Sequence, residues 1–315
     1  MHFRPLASSL LPFFFLLFAL SACSTTRPPT EASVPDQTDA ENEQNQRAEQ
    51  LQGLLTSADT HFAQRTERAE LTKAIATWEE AWDLLDDHHS DQAFSLSAYL
   101  ARAYYFRARY HHSLAAMPSQ EAILADTLDG IEAALRALRI KSPALADALQ
   151  IPPPASNAPL ELPLEDFPEE GVAALLSFAQ NLLLHAETQG LSAHLEAEPL
   201  GTTLMAYLRD DHPQTHHGAP ARYFGSHFIQ RPFQKSPAES ARAFEEALHL
   251  APDFLLTRVL RAANLATATG DRELFVSDLQ ADLDTTLEAS PEVAAENFFA
   301  QLLARSLLAR VDTLF

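Results

Sequence analysis

Three short segments of the chain repeat one helical pattern: WEEAW, IEAAL and FEEAL. Each places an apolar residue three positions before an alanine, and residues three apart share one face of an α-helix. Antiparallel helices approach to about 8–10 Å where the side chains at their crossing are small. We therefore expect the three alanines to lie at close crossings between paired helices. They are Ala81, Ala134 and Ala247.

The remaining sequence favours an all-α fold. From Leu51 onward the apolar residues recur with a helical period, and no alternating run predicts a strand. Pro252 follows FEEAL and is expected to end its helix and turn the chain. An aromatic residue, an alanine and a proline in this order are typical of the second helix of a tetratricopeptide repeat, which is about 34 residues long. The alanines are 53 and 113 residues apart, which excludes a regular array. We predict an irregular tetratricopeptide-like helix-pair solenoid that closes into a compact helical body.

Candidate partner helices for these segments lie at residues 58–68, 94–114 and 254–269. A proline-rich loop is predicted over residues 151–171, and a helix that is apolar over most of its surface follows at 172–187. Such a helix is either buried in the core or lines an apolar cavity. Burial is the commoner fate of apolar side chains.

The first residues have the features of an exported lipoprotein. Arg4 precedes an apolar run that is too short to span a bilayer, and the run ends in LSAC, at Cys23. A charged start, a short apolar run and small residues before a cleavage site make a signal peptide. Cys23 is the single cysteine of the chain, which lipidation explains; the alternative is an ordinary signal peptide and an unmodified cysteine. Ser24, rather than an aspartate, follows it, which favours the outer membrane.

The segment after the cysteine is predicted to be a tether. It has almost no large apolar residue, so that it cannot bury enough surface to offset the entropy of ordering. Acyl chains such as palmitate on Cys23 would hold the tether in the lipid bilayer. We thus predict a signal peptide at 1–22, a lipidated disordered tether at 23–49 and a tetratricopeptide-like α-helical domain at 50–315.

The charge balance excludes nucleic acid as a partner. The chain has 22 basic and 43 acidic side chains, whereas binding to phosphates needs clustered basic residues. The same excess of acidic residues disfavours an electrostatic attachment to anionic lipid.

Clustered histidines raise the alternative of a periplasmic metal-dependent enzyme. Imidazoles four residues apart on a helix can share one ion, but a proline inside the HPQTHHG spacing and a glycine after it predict a loop. No nucleophile, phosphate-loop or metalloprotease motif is present. We therefore predict no catalytic residue, no metal and no cofactor. The enzyme alternative requires that three of four histidines converge: His212, His216, His217 and His227.

Two segments, AYYFRARY and ARYFGSHFIQRPF, are dense in tyrosine, phenylalanine and arginine. Apolar side chains with polar tips suit surfaces that bind a ligand or a partner. Packing between helices accounts for most of these aromatics equally well. The candidates for a ligand or partner surface are Phe178, Arg222, Tyr223, Phe224, Phe228 and Arg231.

Several of these segments together resemble one family, the TatT lipoproteins. They are LSAC, SFAQNLLLHAETQG, ARYFGSHFIQRP, the block from Phe244 to Leu279 and the closing AENFFAQLLARSLLARVDTLF. TatT lipoproteins are tetratricopeptide-like periplasmic proteins associated with tripartite ATP-independent periplasmic (TRAP) transporters. The resemblance covers the chain from about Leu51 onward, and its most specific part is the block from Phe244 to Leu279, in which DRELF, beginning at Asp271, opens the last long helix. The chain departs from the pattern after Pro232, where FQKSP replaces a glycine-rich turn, and in the proline-rich loop.

The resemblance implies an accessory protein rather than an enzyme, and it brings no catalytic residue with it. Its implied partner is the periplasmic solute-binding protein of a TRAP transporter. The implied role is to dock that protein and to assist the transfer of a hydrophobic or organic-acid ligand through a channel in the helical body. The sequence is compatible with a homo-oligomer. The alternative within the same fold class is a general tetratricopeptide lipoprotein for outer-membrane or pilus assembly.

Overall fold

The computed structural model describes residues 37–149, 160–231 and 233–315. Within these residues the chain is helical and has no strand, which confirms the all-α prediction. No helix in these ranges is both long enough and apolar enough to span a bilayer. The predicted signal peptide, Cys23 and the first part of the proline-rich loop lie outside the described residues.

Most of the helices follow one another with short connections, but residues 149–171 separate the fifth helix from the sixth. A 3₁₀ turn precedes the sixth helix and two more precede the thirteenth. The helices are α1 (Gln37–Ala63), α2 (Arg68–Asp83), α3 (Asp91–Phe106), α4 (Gln120–Lys141), α5 (Pro143–Ala148), α6 (Val172–Gln189), α7 (Leu191–Asp211), α8 (Ala219–Gln230), α9 (Pro237–Leu250), α10 (Leu256–Leu260), α11 (Thr267–Thr269), α12 (Arg272–Asp284), α13 (Ala294–Leu308) and α14 (Val311–Leu314).

Helix α1 begins earlier than the sequence suggested. It starts at Gln37, so the prediction of a disordered tether as far as residue 49 is wrong for residues 37–49. Residues 41–50 are all exposed, and thus the helix here gains nothing from burial. The segment is rich in Ala, Glu, Gln and Arg, which have high intrinsic helix propensity. The main compact unit also starts a few residues before the predicted boundary, at Asn45–Phe315.

The three alanines of the repeated pattern are fully buried. Ala81 lies in α2, Ala134 in α4 and Ala247 in α9. At Ala247 the neighbouring backbone is close: a Cβ added to Gly218 would lie 3.4 Å from the Ala247 carbonyl oxygen. Pro252 lies in the turn directly after α9.

Two glycines, which were not singled out from the sequence, make tight contacts between helices. A Cβ on Gly130 of α4 would lie 2.4 Å from Oδ1 of Asn181 in α6. A Cβ on Gly225 of α8 would lie 2.7 Å from the ring of Phe244 in α9. Since real Cβ atoms do not approach so closely, these helix pairs depend on glycine at the crossing.

The last long helix closes the body against the first helices. Glu296 of α13 is buried and accepts hydrogen bonds from Arg65 at 2.8 Å and from Arg102 at 3.2 Å. Phe299, one turn later, packs against Tyr110 with ring centroids 5.3 Å apart and against Phe106 at 5.8 Å. The predicted closure of the chain into a helical body therefore rests on a buried ion-pair cluster and an aromatic cluster.

Two helices continue into π-helical segments: α3 into Arg107–His112, and α10 into Arg261–Ala266. The first residue of each segment is an arginine that binds an aspartate of the next long helix through two hydrogen bonds. Six residues after each arginine, a hydroxyl donates to a carbonyl five residues back, from Ser113 to Ala108 and from Thr267 to Ala262. The two segments are therefore equivalent structures. They fall within predicted helices, but their widened turns were not predicted.

Candidate functional site

A cavity of about 700 Å³ lies inside the helical body. This volume is within the range of pockets that bind small molecules, roughly 300–1,000 Å³. Its walls come from the end of α3 and its π segment, from α6, α7, α8 and α10 with its π segment, and from α13. The apolar part of the lining is Leu114, Leu183, Leu184, Leu191, Met205, Ala219, Phe254, Leu256, Leu260, Ala263 and Leu303.

Helix α6 has both of the roles that its sequence allowed. Its residues are mostly buried, as expected for a helix that is apolar around most of its surface. One stripe faces the cavity, with Gln180, Leu183, Leu184 and Glu187 at positions i, i+3, i+4 and i+7. The two polar residues lie at the ends of this stripe, and the two leucines form its middle.

The two π-helical segments face the cavity. Each contributes the residues two and three positions after its arginine: Arg109 and Tyr110 in the first, and Ala263 and Asn264 in the second. π-helical turns are rare and are frequent at functional sites. The matched geometry of the two walls is therefore a reason, independent of the cavity itself, to place the functional site here.

Arg222 of α8 lies at the inner end of the cavity, where it is 5 % exposed. Its Nη1 donates to the His217 carbonyl at 2.8 Å and to Thr257 Oγ1 at 3.5 Å, and its Nη2 donates to the His216 carbonyl at 3.3 Å. The guanidinium carbon lies 4.2 Å from the centre of the Phe254 ring. Burial lowers the pKa of Arg222 to about 10, so the side chain still carries its charge at neutral pH.

The ion pairs among the described residues do not include Arg222 or Arg109. The buried carboxylate of Glu296 is already bound by two other arginines. Two cationic side chains therefore reach the cavity without a carboxylate within 4 Å in the described part of the chain. Burying a charge without a partner is unfavourable, which makes this arrangement unusual.

A left-handed turn holds Arg222 in place. His216, His217 and Gly218 have φ angles of 43°, 59° and 72°, all in the left-handed region. Two consecutive histidines in this region are strained. The ring of His217 stacks on Phe254 with centroids 5.2 Å apart. The turn thereby directs two carbonyl oxygens at Arg222 and fixes the guanidinium against the aromatic ring.

The cavity opens to solvent at the opposite end of α8. Glu187, Leu191 and Gln230 line the cavity and are exposed, which places the mouth between the end of α6, the start of α7 and the end of α8. Several exposed apolar side chains are close to it in the chain. Leu195 is one turn beyond Leu191 on α7, and Phe233 follows the end of α8.

The loop after the first π segment also borders the mouth. Gln120, at the start of α4, donates a hydrogen bond of 2.7 Å to the carbonyl of Thr188 at the end of α6. Met117, three residues earlier, is 88 % exposed. Large apolar side chains exposed together are typical of surfaces that bind a partner.

The structure brings two of the six predicted surface residues to the cavity, Arg222 and Tyr223. Phe178 is fully buried in the core and does not line the cavity. Phe224 is buried under the guanidinium of Arg209, at 5.3 Å. The remaining two lie on the outer side of α8: Arg231 is 5.4 Å from the half-buried ring of Phe228 and donates from Nε to Nε2 of His227 at 2.9 Å.

The sequence analysis missed the wall formed by α10 and its π segment. Leu256, Leu260 and Ala263 share one helical face, which indicated packing against another helix as strongly as a cavity wall. Asn264, the polar residue of this wall, lies four residues after Leu260 and was not singled out from the sequence.

The histidines singled out from the sequence do not form one cluster. His212 lies 3.0 Å from Glu169, His216 and His217 are adjacent with ring centroids 5.6 Å apart, and His227 contacts Arg231. In the described ranges no group of three or more histidine, cysteine, aspartate or glutamate side chains is placed to hold a metal ion. The convergence that the metal-enzyme alternative requires is thus not seen in this part of the chain.

Comparison with known families gives one match. A family model described as the TRAP transporter T-component matches residues 125–315, which is more than half of the chain. The matched range includes α6, α7, α8, α10 and α13 and therefore most of the cavity wall. No curated protein matches the chain.

Proposed function

Because this chain belongs to the TRAP transporter T-component family, we propose that it docks the periplasmic solute-binding protein of such a transporter and assists ligand transfer. A T-component is associated with a TRAP transporter and hence with the bacterial cell envelope. The finer proposal is that a hydrophobic or organic-acid ligand passes through the cavity. The observation that carries it is the cavity of about 700 Å³ with a solvent-exposed mouth.

The lining of the cavity supports a ligand with a substantial apolar part. Seven leucines, one methionine and one phenylalanine are among the lining residues, and burial of apolar ligand surface against them contributes roughly 25 cal/mol per Å². Polar side chains also line the cavity: Arg222 and Gln230 of α8 and, between them, Ser226, which accepts a hydrogen bond of 3.0 Å from Asn264. The arrangement suits an amphiphilic molecule better than a uniformly polar one.

The mouth supports docking of a second protein. Leu191, which lines the opening, and Leu195 are 65 % and 46 % exposed, and Met117 and Phe233, which follow segments that line the cavity, are 88 % and 84 % exposed. Apolar and aromatic side chains of this kind form the centres of protein interfaces. A partner that covered the mouth would bury these side chains and would keep a transferred ligand away from water.

The proposed anchor lies outside the described residues. We propose that Cys23 is acylated, so that the protein is held at the periplasmic side of a membrane, and that Ser24 after it directs the protein to the outer membrane. The long exposed helix α1 then precedes the body that carries the cavity.

The experiment mixes the soluble mature chain with the solute-binding protein encoded beside it and measures association by analytical ultracentrifugation. We expect a complex in the micromolar range for the parent and at least tenfold weaker association for Leu195→Glu. The matched control is Leu128→Glu, since Leu128 is 43 % exposed on α4, against 46 % for Leu195. Absence of a complex at tens of micromolar, or equal weakening by both substitutions, would contradict docking at the mouth.

An assembly factor with an open concave groove is the alternative within this fold class. The described residues enclose a cavity instead, so no observation favours that function over ligand transfer.

A further inference from the structure

We propose that the guanidinium of Arg222 binds the carboxylate of a monoanionic amphiphile, whose apolar tail extends along α8 toward the mouth of the cavity. This inference rests on the proposed function, since it assigns the ligand chemistry and the ligand orientation of the same cavity. It adds a specific anion-binding residue that neither the family match nor the shape of the cavity supplies.

The hydrogen bonds of Arg222 leave one edge of the guanidinium available. Nη1 has two acceptors and Nη2 has one, whereas Nε has no acceptor among the described residues. A guanidinium carries five N–H groups in a planar fork, and a carboxylate binds two of them side by side. The Nε–H and one Nη2–H of a guanidinium lie along one edge and have the spacing for this bidentate contact.

Other arginines of the same molecule use the Nε–Nη2 edge to bind carboxylates. Arg107 binds Asp126 through Nε and Nη2 at 2.9 and 2.6 Å, and Arg261 binds Asp278 in the same way at 2.7 and 2.6 Å. Arg209 also uses Nε and Nη2 to bind a carboxylate, that of Glu246. Arg222 is the more deeply buried cation, and its acceptors are two carbonyls and one hydroxyl, none of which carries a charge.

The groups around Arg222 favour an anion further. Tyr105 and Tyr110 line the same cavity, and burial raises the pKa of each phenol, so both keep the proton that a hydroxyl needs to donate. Neither hydroxyl has a hydrogen-bond partner within the described residues. Arg109 supplies a second positive charge at the same wall.

The path from Arg222 to the mouth fixes the orientation and the length of the ligand. Gln230, at the mouth, is eight residues beyond Arg222 on α8, a distance of about 12 Å at 1.5 Å per residue, which an extended chain of roughly ten carbons would fill. Leu183, Leu184 and Leu260 line the same cavity, together with Ser226 and Asn264, which are hydrogen-bonded to each other. A carboxylate at Arg222 therefore places the tail among these side chains and its tip at the opening.

The experiment uses the mature chain from residue 23 with Cys23→Ser, in the absence of detergent, and titrates decanoate and decanol by calorimetry. We expect one decanoate per chain, bound at least about tenfold more tightly than decanol, because a charge-assisted bidentate contact is stronger than a neutral one. Arg222→Gln should abolish this preference while decanol binding persists. Arg231→Gln, on the outer side of α8, should preserve it.

Three outcomes would overturn the assignment: equal affinity of decanoate and decanol for the parent, no binding of either, or loss of the preference in Arg109→Gln but not in Arg222→Gln. If Arg222→Gln does not fold, the preference for decanoate over decanol is measured in the parent and in Arg222→Lys instead. Docking is tested separately. Equal affinities for decanoate and decanol, together with an intact complex with the solute-binding protein, would contradict only the anion site. Selective decanoate binding without that complex would contradict only the docking proposal.

Discussion

Arg261 binds both carboxylate oxygens of Asp278, with hydrogen bonds of 2.7 and 2.6 Å. Arg107 binds Asp126 in the same manner, and both arginines begin a π-helical segment that faces the cavity. In each case the aspartate lies seven residues after the N-cap of the following long helix, Ser119 or Asp271. The two cavity walls are thus held to their neighbouring helices by the same ion-pair geometry.

The first prediction concerns this pair. Asp278→Ala leaves the largely buried guanidinium of Arg261 without its partner, and breaking a buried pair from one side costs about 3–5 kcal/mol. We expect the free energy of unfolding, measured by urea denaturation, to fall by an amount of this order. The control is Asp312→Ala, which breaks the exposed Arg272–Asp312 pair and should change stability little. Similar losses in both variants would contradict the importance of the buried pair.

The second prediction concerns the alanines of the repeated pattern. Ala247→Leu and Ala81→Leu should each destabilise the fold by about 1–3 kcal/mol, because added methylenes overpack a tight interior. Thermal unfolding followed by circular dichroism measures the effect. Ala268→Leu, at an exposed helical position, is the matched control. Unchanged thermal midpoints for both buried variants would show that these crossings can accommodate a larger side chain.

The third prediction compares two helical glycines. Gly53→Ala in α1 should stabilise the protein by about 0.5–1 kcal/mol, since a Cβ there meets nothing within 4 Å and alanine has the higher helix propensity. Gly130→Ala should destabilise it instead, because its Cβ would lie 2.4 Å from Asn181 Oδ1. Denaturant midpoints should therefore move in opposite directions. A stabilising shift in Gly130→Ala would mean that α4 and α6 can separate without loss, whereas a destabilising shift in Gly53→Ala would contradict the open space at that position.

The fourth prediction concerns pH. Burial, followed by the nearby charges of Arg231 and His194, lowers the pKa of His227 to about 4. The ordinary value is about 6.5, so the unfolded chain binds a proton at this position between about pH 6.5 and 4 while the folded chain does not. Stability should accordingly fall as pH is lowered through this window.

His227→Gln should reduce the slope of stability against pH between pH 6.5 and 4, as measured by urea midpoints at several pH values. His249→Gln, at an exposed position of α9, serves as the control for the loss of an imidazole. An unchanged slope in the first variant would assign the acid sensitivity to other groups, such as His216, whose pKa burial also lowers.

The fifth prediction concerns the anchor. Cys23→Ser, expressed with the signal sequence intact, should move the protein from the membrane fraction to the soluble fraction, because the acyl chains are the proposed attachment. Fractionation followed by immunoblotting measures the shift. A variant that sediments with membranes as the parent does would place the attachment elsewhere in the chain.

The sequence predicted the elements that depend on periodicity and end signals. The helix expected at residues 172–187 is Val172–Gln189, and Gly190 and Gly270, which follow periodic runs, adopt positive φ angles of 117° and 71°. The TatT resemblance agrees with the family that the comparison found. Composition misled at the start of α1, because a polar segment was taken as disordered although its residues are good helix formers.

The parts that the sequence could not predict depend on contacts between distant residues. The sequence SPAE, at residues 236–239, is a capping-box pattern, and α9 does begin at Pro237, but the Ser236 side chain makes no capping hydrogen bond. Arg222 was a candidate because it is an arginine beside aromatics, a signal that Arg231 shares. Only the fold shows that Arg222 is buried beside a strained turn while Arg231 lies against His227.

The pairing of Arg65 with Glu296 joins positions 231 residues apart in the chain. Most helix pairs can form as soon as two neighbouring segments have emerged, but this contact needs nearly the whole chain. During folding the arginine therefore stays without its carboxylate until the C-terminal helix is available. Consequently, the wall that α13 contributes to the cavity cannot form until the chain is almost complete, and truncation before α13 should leave an open intermediate rather than a smaller folded protein.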